Sequence, residues 1–138
     1  MTDHIDDTLK RWRQTEFDYG EADCLLSIGD YIKETCGINN VDNWRGTYFS
    51  QNEALTLVAD NGGAHGIIDT TGLEQIDPSD AKRGDVVVID TLTGKGLEAT
   101  IGALCTGPGV AARLERGVIE IDRRFVRITH AWKVAAHG

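Results

Sequence analysis

The chain has 138 residues, of which 41% are hydrophobic and 26% charged, with 16 Gly and 2 Pro. That supplies one hydrophobic core of ordinary size and not two, and it excludes a disordered or fibrous protein. Fourteen Lys and Arg against 22 Asp and Glu leave a formal charge of -8, a sign that repels phosphate backbones and anionic lipid and excludes nucleic acid as the expected partner.

Ile5, Leu9 and Trp12 recur at helical spacing and predict an N-terminal helix that ends before Phe17-Asp18-Tyr19-Gly20. The most apolar helical pattern follows, through Leu25, Leu26, Ile28, Ile32 and Cys36. Asp23, or a residue just ahead of it, supplies its N-cap and Gly37 the positive-φ stop, so Cys24 falls in the first turn. A loop carrying Trp44, Arg45, Gly46 and Tyr48 leads to Ser50 and Glu53, a capping box that opens a third helix through Leu55, Leu57 and Val58. This helix stops at Gly62 and Gly63. The stretch Gly62-Gly63-Ala64-His65-Gly66 reads as a flexible loop. It lacks the Lys-Ser/Thr of a phosphate-binding loop and precedes no clear helix, which argues against a nucleotide site.

The period then changes. Val86-Val87-Val88-Ile89, bounded by Gly84 and by a Gly94-Lys95-Gly96 turn, predicts a strand buried on both faces. Residues 99–105 make a second strand, residues 110–114 and 118–121 flank Arg116-Gly117 as a hairpin, and residues 125–134 make the last strand. Arg83-Gly84-Asp85 reads as the turn into the first strand, and Trp132 as core. Helices first and an antiparallel meander after them describe an α+β fold, a single domain over residues 1–138. No apolar run reaches the roughly 18 to 20 residues of a membrane span, and residues 1–12 are acidic and polar where a secretion signal is basic and then apolar. The expectation is a soluble chain without membrane insertion or an export signal of its own.

Cys24, Cys36 and Cys105 cannot all pair, and one helix would hold Cys24 and Cys36 about 18 Å apart at ~1.5 Å per residue, too far for a disulfide. The cysteines and His4, His65, His130 and His137 are scattered singly, so no metal and no cofactor is expected. Free N–H groups and the dipole at a helix start favour a thiolate at Cys24, whereas the adjacent Asp23 opposes it. A nucleophile and a packing thiol are both open on these grounds. Trp44, Arg45 and Tyr48 are residue types that anchor interfaces, and a loop can display them to a partner or fold them into the core.

Phe17-x-Tyr19-Gly20-x-x-Asp23-Cys24 resembles the signature that opens the catalytic helix of NlpC-like cell-wall peptidases. Arg83-Gly84-Asp85-Val86-Val87-Val88 and Ile101-Gly102 are similar to two strands of that family. The chain resembles still more closely a domain family of uncharacterised function encoded in tailed phages and prophages. The resemblance runs through the Asp23-Cys24 helix, Trp44-Arg45-Gly46-x-Tyr48, Glu53-Ala54, Gly62-Gly63, the Arg83–Val87 segment and Ala131-Trp132-Lys133-Val134. It implies a papain-like, NlpC-like fold with N-terminal helices packed on a C-terminal antiparallel sheet, and Cys24 in the nucleophile's place.

A papain-like mechanism also needs an imidazole to take the thiol proton and return it to the leaving amine. The position that matches this base is Thr100, and threonine cannot do that work. The resemblance therefore implies a tail-tip or tail-assembly component, made in the host cytoplasm, residing in the virion tail and bound to other phage tail proteins, on a scaffold without hydrolytic activity. The alternative is an active cysteine peptidase or amidase that cuts host peptidoglycan during genome entry, with Cys24 as nucleophile and His130 as an unorthodox base. A bare peptidoglycan-binding module draws no support from an aromatic content of 7%.

Overall fold

A computed structural model describes residues 4–92 and 95–134. Among these described residues four helices come first: α1 (His4–Gln14), α2 (Cys24–Cys36), α3 (Gln51–Asp60) and α4 (Ala64–Asp69). Six strands follow: β1 (Gln75–Ile76), β2 (Val86–Leu92), β3 (Lys95–Cys105), β4 (Gly109–Leu114), β5 (Gly117–Asp122) and β6 (Val126–Trp132). The fold is α+β, and all strand pairs of its one sheet are antiparallel. Among the described residues no helix is long and apolar enough to cross a membrane.

The sheet order is β1-β6-β2-β3-β4-β5, which corrects the predicted meander. β2 through β5 do follow one another, but β6 returns across the sheet to pair with β2, and the two-residue β1 caps its outer side. A strand that short carries no periodic signal, and the choice of partner for β6 is nonlocal. Lys95 and Gly96 open β3 instead of forming a turn, and Gly94 lies outside the described residues.

β2 is buried on both faces, as its unbroken β-branched run predicts. Val86 and Val88 face the helices and join Ile5, Leu9, Trp12, Ile28, Ile32 and Ile68. Val87 and Ile89 face a second core with Ala103, Cys105 and Val110, to which Ile119 and Ile121 of β5 and Val126 and Ile128 of β6 also contribute. Strands on both sides of β2 and β3 thus contribute to this one apolar cluster. Each such fully buried Val or Ile contributes roughly 1.5 to 3 kcal/mol of transfer free energy.

The alternation that seats Leu104 under the helices also turns Gly102 and Thr100 toward them. A Cβ on Gly102 would lie 3.2 Å from Ile28 and 3.6 Å from Ile68, so its absence lets α2 and α4 approach β3 closely. That approach brings the first turn of α2 beside the middle of β3, where Thr100 stands.

Candidate functional site

Cys24 is the first residue of α2, and the segment before it is built around Asp23. This carboxylate is only 2% exposed. It accepts hydrogen bonds from the Leu26 N–H at 2.9 Å, the Gly20 N–H at 3.0 Å and the Tyr48 hydroxyl at 2.5 Å. Asp23 is therefore more than a helix cap, because it ties the turn before α2 and the loop before α3 to one point. Gly20 makes the tie possible: its φ is +87°, and a Cβ there would sit 1.9 Å from the Tyr48 carbonyl oxygen.

The Cys24 thiol is held protonated. Burial, and after it the Asp23 charge, push it up to about 12, and the Leu25 and Cys24 backbone N–H groups at the helix start offset this only in part. Part of the residue nevertheless opens on a cavity of about 330 Å³ between α2, α3 and the β3–β4 side of the sheet. Its walls are mainly apolar, with Phe17, Tyr19, Leu25, Leu55, Val58 and Ile101 among them, and Thr100, Arg113 and Glu115 also line it. Among the described residues that line it there is no histidine.

Thr100 has a structural task. Its hydroxyl oxygen accepts the Ala64 N–H at 3.1 Å, and so satisfies one of the free donors at the start of α4, where Gly63 has no side chain to cap with. The loop predicted over Gly62-Gly63-Ala64-His65-Gly66 is thereby corrected, since Ala64–Asp69 is helix α4. His65 sits in its first turn, close to Thr100: a Cβ on Gly63 would meet His65 Nδ1 at 3.3 Å and Thr100 Oγ1 at 3.4 Å.

His130 faces α4 because β6 carries a bulge. Ile128 pairs with Ile89, yet His130 pairs with the adjoining Val88, so Thr129 is the extra residue and the alternation shifts by one. The His130 ring stacks on His65, with centroids 4.1 Å apart and planes 1° from parallel. Its Nδ1 lies 2.9 Å from the Thr129 hydroxyl. Beyond it, the Trp132 indole N–H donates to Asp69 at 2.9 Å. Burial first and then His65 push the His130 imidazole below its ordinary value, with Asp69 in opposition.

The loop triad divides. Tyr48 is 2% exposed and turned inward to Asp23, and burial and that bond push its phenol up. Trp44 is half-buried against Leu26, Val41 and Tyr48. Arg45 pairs with Asp30 at 2.7 Å and Asp42 at 3.1 Å and clips the loop to α2. The displayed aromatic is instead Phe49, 70% exposed.

Arg113 is the residue that sequence reasoning passed over. It is 5% exposed, with its guanidinium donating to the Thr15 carbonyl oxygen at 2.7 Å, the Thr15 hydroxyl at 2.8 Å and the Ser27 hydroxyl at 3.4 Å. Burial pushes it down, and Asp23 partly restores it. A lone charge in the otherwise apolar run Val110-Ala111-Ala112-Arg113-Leu114 is the signal that could have marked it.

A family model described as a domain of unknown function, DUF6950, matches residues 1–134. The chain belongs to this family. No curated protein matches the sequence at a significant level. Membership in DUF6950 covers nearly the whole chain and carries no activity with it, so any functional reading has to be argued from the cavity and its residues.

Proposed function

We propose that this chain is a phage tail component, at the tail tip or in tail assembly, built on a papain-like, NlpC-like scaffold that does not hydrolyse peptide bonds. The observation that carries the non-hydrolytic reading is the state of Cys24. Its thiol is pushed up to about 12, and Thr100, at the position the resemblance gives to the imidazole base, is committed to the Ala64 N–H. A thiol that keeps its proton and has no base in its cavity is a poor nucleophile. The tail assignment is supported by the resemblance that runs from the Asp23-Cys24 helix to Ala131-Trp132-Lys133-Val134. In that role the chain is made in the host cytoplasm, resides in the virion tail and binds other tail proteins through its acidic surface.

The pH dependence of Cys24 alkylation by iodoacetamide, read by mass spectrometry against Cys36 and Cys105, tests the chemistry. Slow reaction at pH 7, rising only well above the ordinary thiol value of about 8.5, is expected. Fast reaction below pH 7, or release of peptide fragments from purified peptidoglycan, would favour the second reading, a cysteine peptidase or amidase acting on host peptidoglycan. That reading draws on one observation, the opening of Cys24 onto a cavity at a helix N-terminus. Mass spectrometry of purified virions and tails tests the location, and absence of the chain from both would overturn it.

A further inference from the structure

The Cys24 cavity lies where two neighbouring strands part. β3 and β4 are in register at Leu104↔Ala111 and Cys105↔Val110 and, among the described residues, nowhere else. β3 continues to pair with β2 past Ile89↔Ile101 and, after an irregularity, as far back as Leu92↔Lys95, and β4 continues to pair with β5 out to Leu114↔Gly117. From that point the two strands form a wedge. Thr100 and Ile101 line its β3 side, Arg113 and Leu114 its β4 side, and the cavity fills the opening. Strand main-chain groups alternate between the two flanks, so half of those along each side of the wedge face the gap and not a registered neighbour.

Three further features say what fits there. The helix that roofs the opening, α3, has no buried residue, so Ala54, Leu55, Leu57 and Val58 keep apolar surface half-open. Phe49 is exposed and stands in sequence between Tyr48 and Gln51, which both line the cavity. Glu115 is exposed at the rim, and its charge acts with that of Asp23 on Tyr19 inside the cavity. Among the described residues that line the cavity the one cation is Arg113, whose guanidinium is engaged by Thr15 and Ser27.

We propose that this wedge docks an extended segment of a partner protein, whose main chain pairs with an open strand side, whose large apolar side chain fills the cavity, and whose Lys or Arg beside it meets Glu115. Main-chain pairing at a free strand side gives affinity and a side-chain pocket gives selectivity. The inference deepens the non-hydrolytic reading, in that it names the partner chemistry of the same cavity.

The test uses the full chain and an array of capped, fluorescein-labelled nonapeptides. The central residue is Leu, Phe, Ala or Asp, and the flanks are Lys, Thr or Glu, in an otherwise Thr/Val extended background. Fluorescence anisotropy should show saturable binding of the Lys-flanked Leu and Phe peptides, at least tenfold tighter than the Asp-centred or Glu-flanked ones. Phe49→Ala should weaken binding several-fold, and Glu115→Lys should move the preference to Glu flanks. Both residues are exposed, so these variants spare the core. Leu55→Glu, checked for folding by circular dichroism, should abolish binding.

Failure of every peptide to saturate below about 1 mM, or binding indifferent to all three variants, would overturn the proposal. So would sedimentation showing that the chain covers this face with a second copy of itself. A peptide that is bound and also cut would leave the docking inference standing and remove the non-hydrolytic reading. No binding together with slow Cys24 alkylation would do the reverse.

Discussion

Two regions of the helix-facing layer carry the chain's chemistry-bearing residues, and they adjoin at Thr100. In one a thiol sits at a helix start in an apolar cavity with a carboxylate behind it. In the other two imidazoles stack on each other between α4 and β6. Thr100 stands at the junction: it lines the cavity, and its hydroxyl holds the start of the helix that carries His65. The difference bears on the proposed non-hydrolytic reading, because a thiol and an imidazole in one fold act together only where their environments favour the charged forms. Burial pushes Cys24 up and His130 down, so each is shifted toward its neutral form; Asp23 adds to the shift at Cys24, whereas Asp69 opposes the one at His130 without reversing it.

The comparison breaks most severely at Asp23. Three donors converge on its carboxylate, and Asp23→Ala leaves the Gly20 N–H, the Leu26 N–H and the Tyr48 hydroxyl without their acceptor in a buried site. Destabilisation of about 3 kcal/mol is expected, from the lost cap together with the unsatisfied donors, and urea unfolding measures it. A loss below about 1 kcal/mol would mean that water replaces the carboxylate and that the cavity end is looser than its hydrogen bonds imply.

Thr100→His sharpens the same comparison from the other side. It places an imidazole in the cavity that Cys24 lines, at the loss of one hydrogen bond to α4, about 1 kcal/mol. Cys24 alkylation at pH 7 should rise by about tenfold or more, because a nearby base or imidazolium favours the thiolate. Thr100→Ala, which loses the same α4 bond, should give no rise. Equal rates in a folded Thr100→His protein would mean that position 100 does not reach the thiol, and the papain-like alignment of the cavity would fall with it.

How much of this was legible in the sequence follows from how local each signal is. The helix that carries Cys24 was readable to its ends, because Asp23 and Gly37 are chemical caps and the apolar period between them is unbroken. The start of α4 was not, since its cap comes from Thr100, 36 residues away, and Gly63 offers no side chain. The face of His130 was hidden by the Thr129 bulge: strict alternation puts His130 with Ile128, whereas it shares the helix side with Trp132. Tyr48 was undecidable as a loop residue, because only the fold shows the Asp23 carboxylate beneath it. The candidate thiol was visible in the sequence, and its pocket was not, because the pocket depends on where β3 and β4 stop pairing.

The smallest effect belongs to the stacked pair, and its sign is fixed by the direction of the His130 shift. In the folded chain His130 lies below its ordinary value of about 6.5 because of burial and then His65. The unfolded chain therefore takes up that proton first as the pH falls. Stability is full above about pH 6.5 and declines as the pH drops through the folded-state value. The carboxylates held low by their partners, Glu34 by Arg11 and Asp42 by Asn39 and Lys33, lose their contributions further down, near and below their ordinary range of about 4. Unfolding free energies measured between pH 7.5 and 5.5 thus read the His130 shift apart from those of the carboxylates. His65→Gln removes the neighbour that pushes His130 down, and should flatten this slope by a fraction of the Asp23 effect while alkylation of Cys24 at pH 7 stays the same. An unchanged slope would assign the shift to burial alone. A change in Cys24 reactivity would instead show that the two ends communicate through Thr100, whose hydroxyl touches the helix that bears His65 and whose other side faces the cavity.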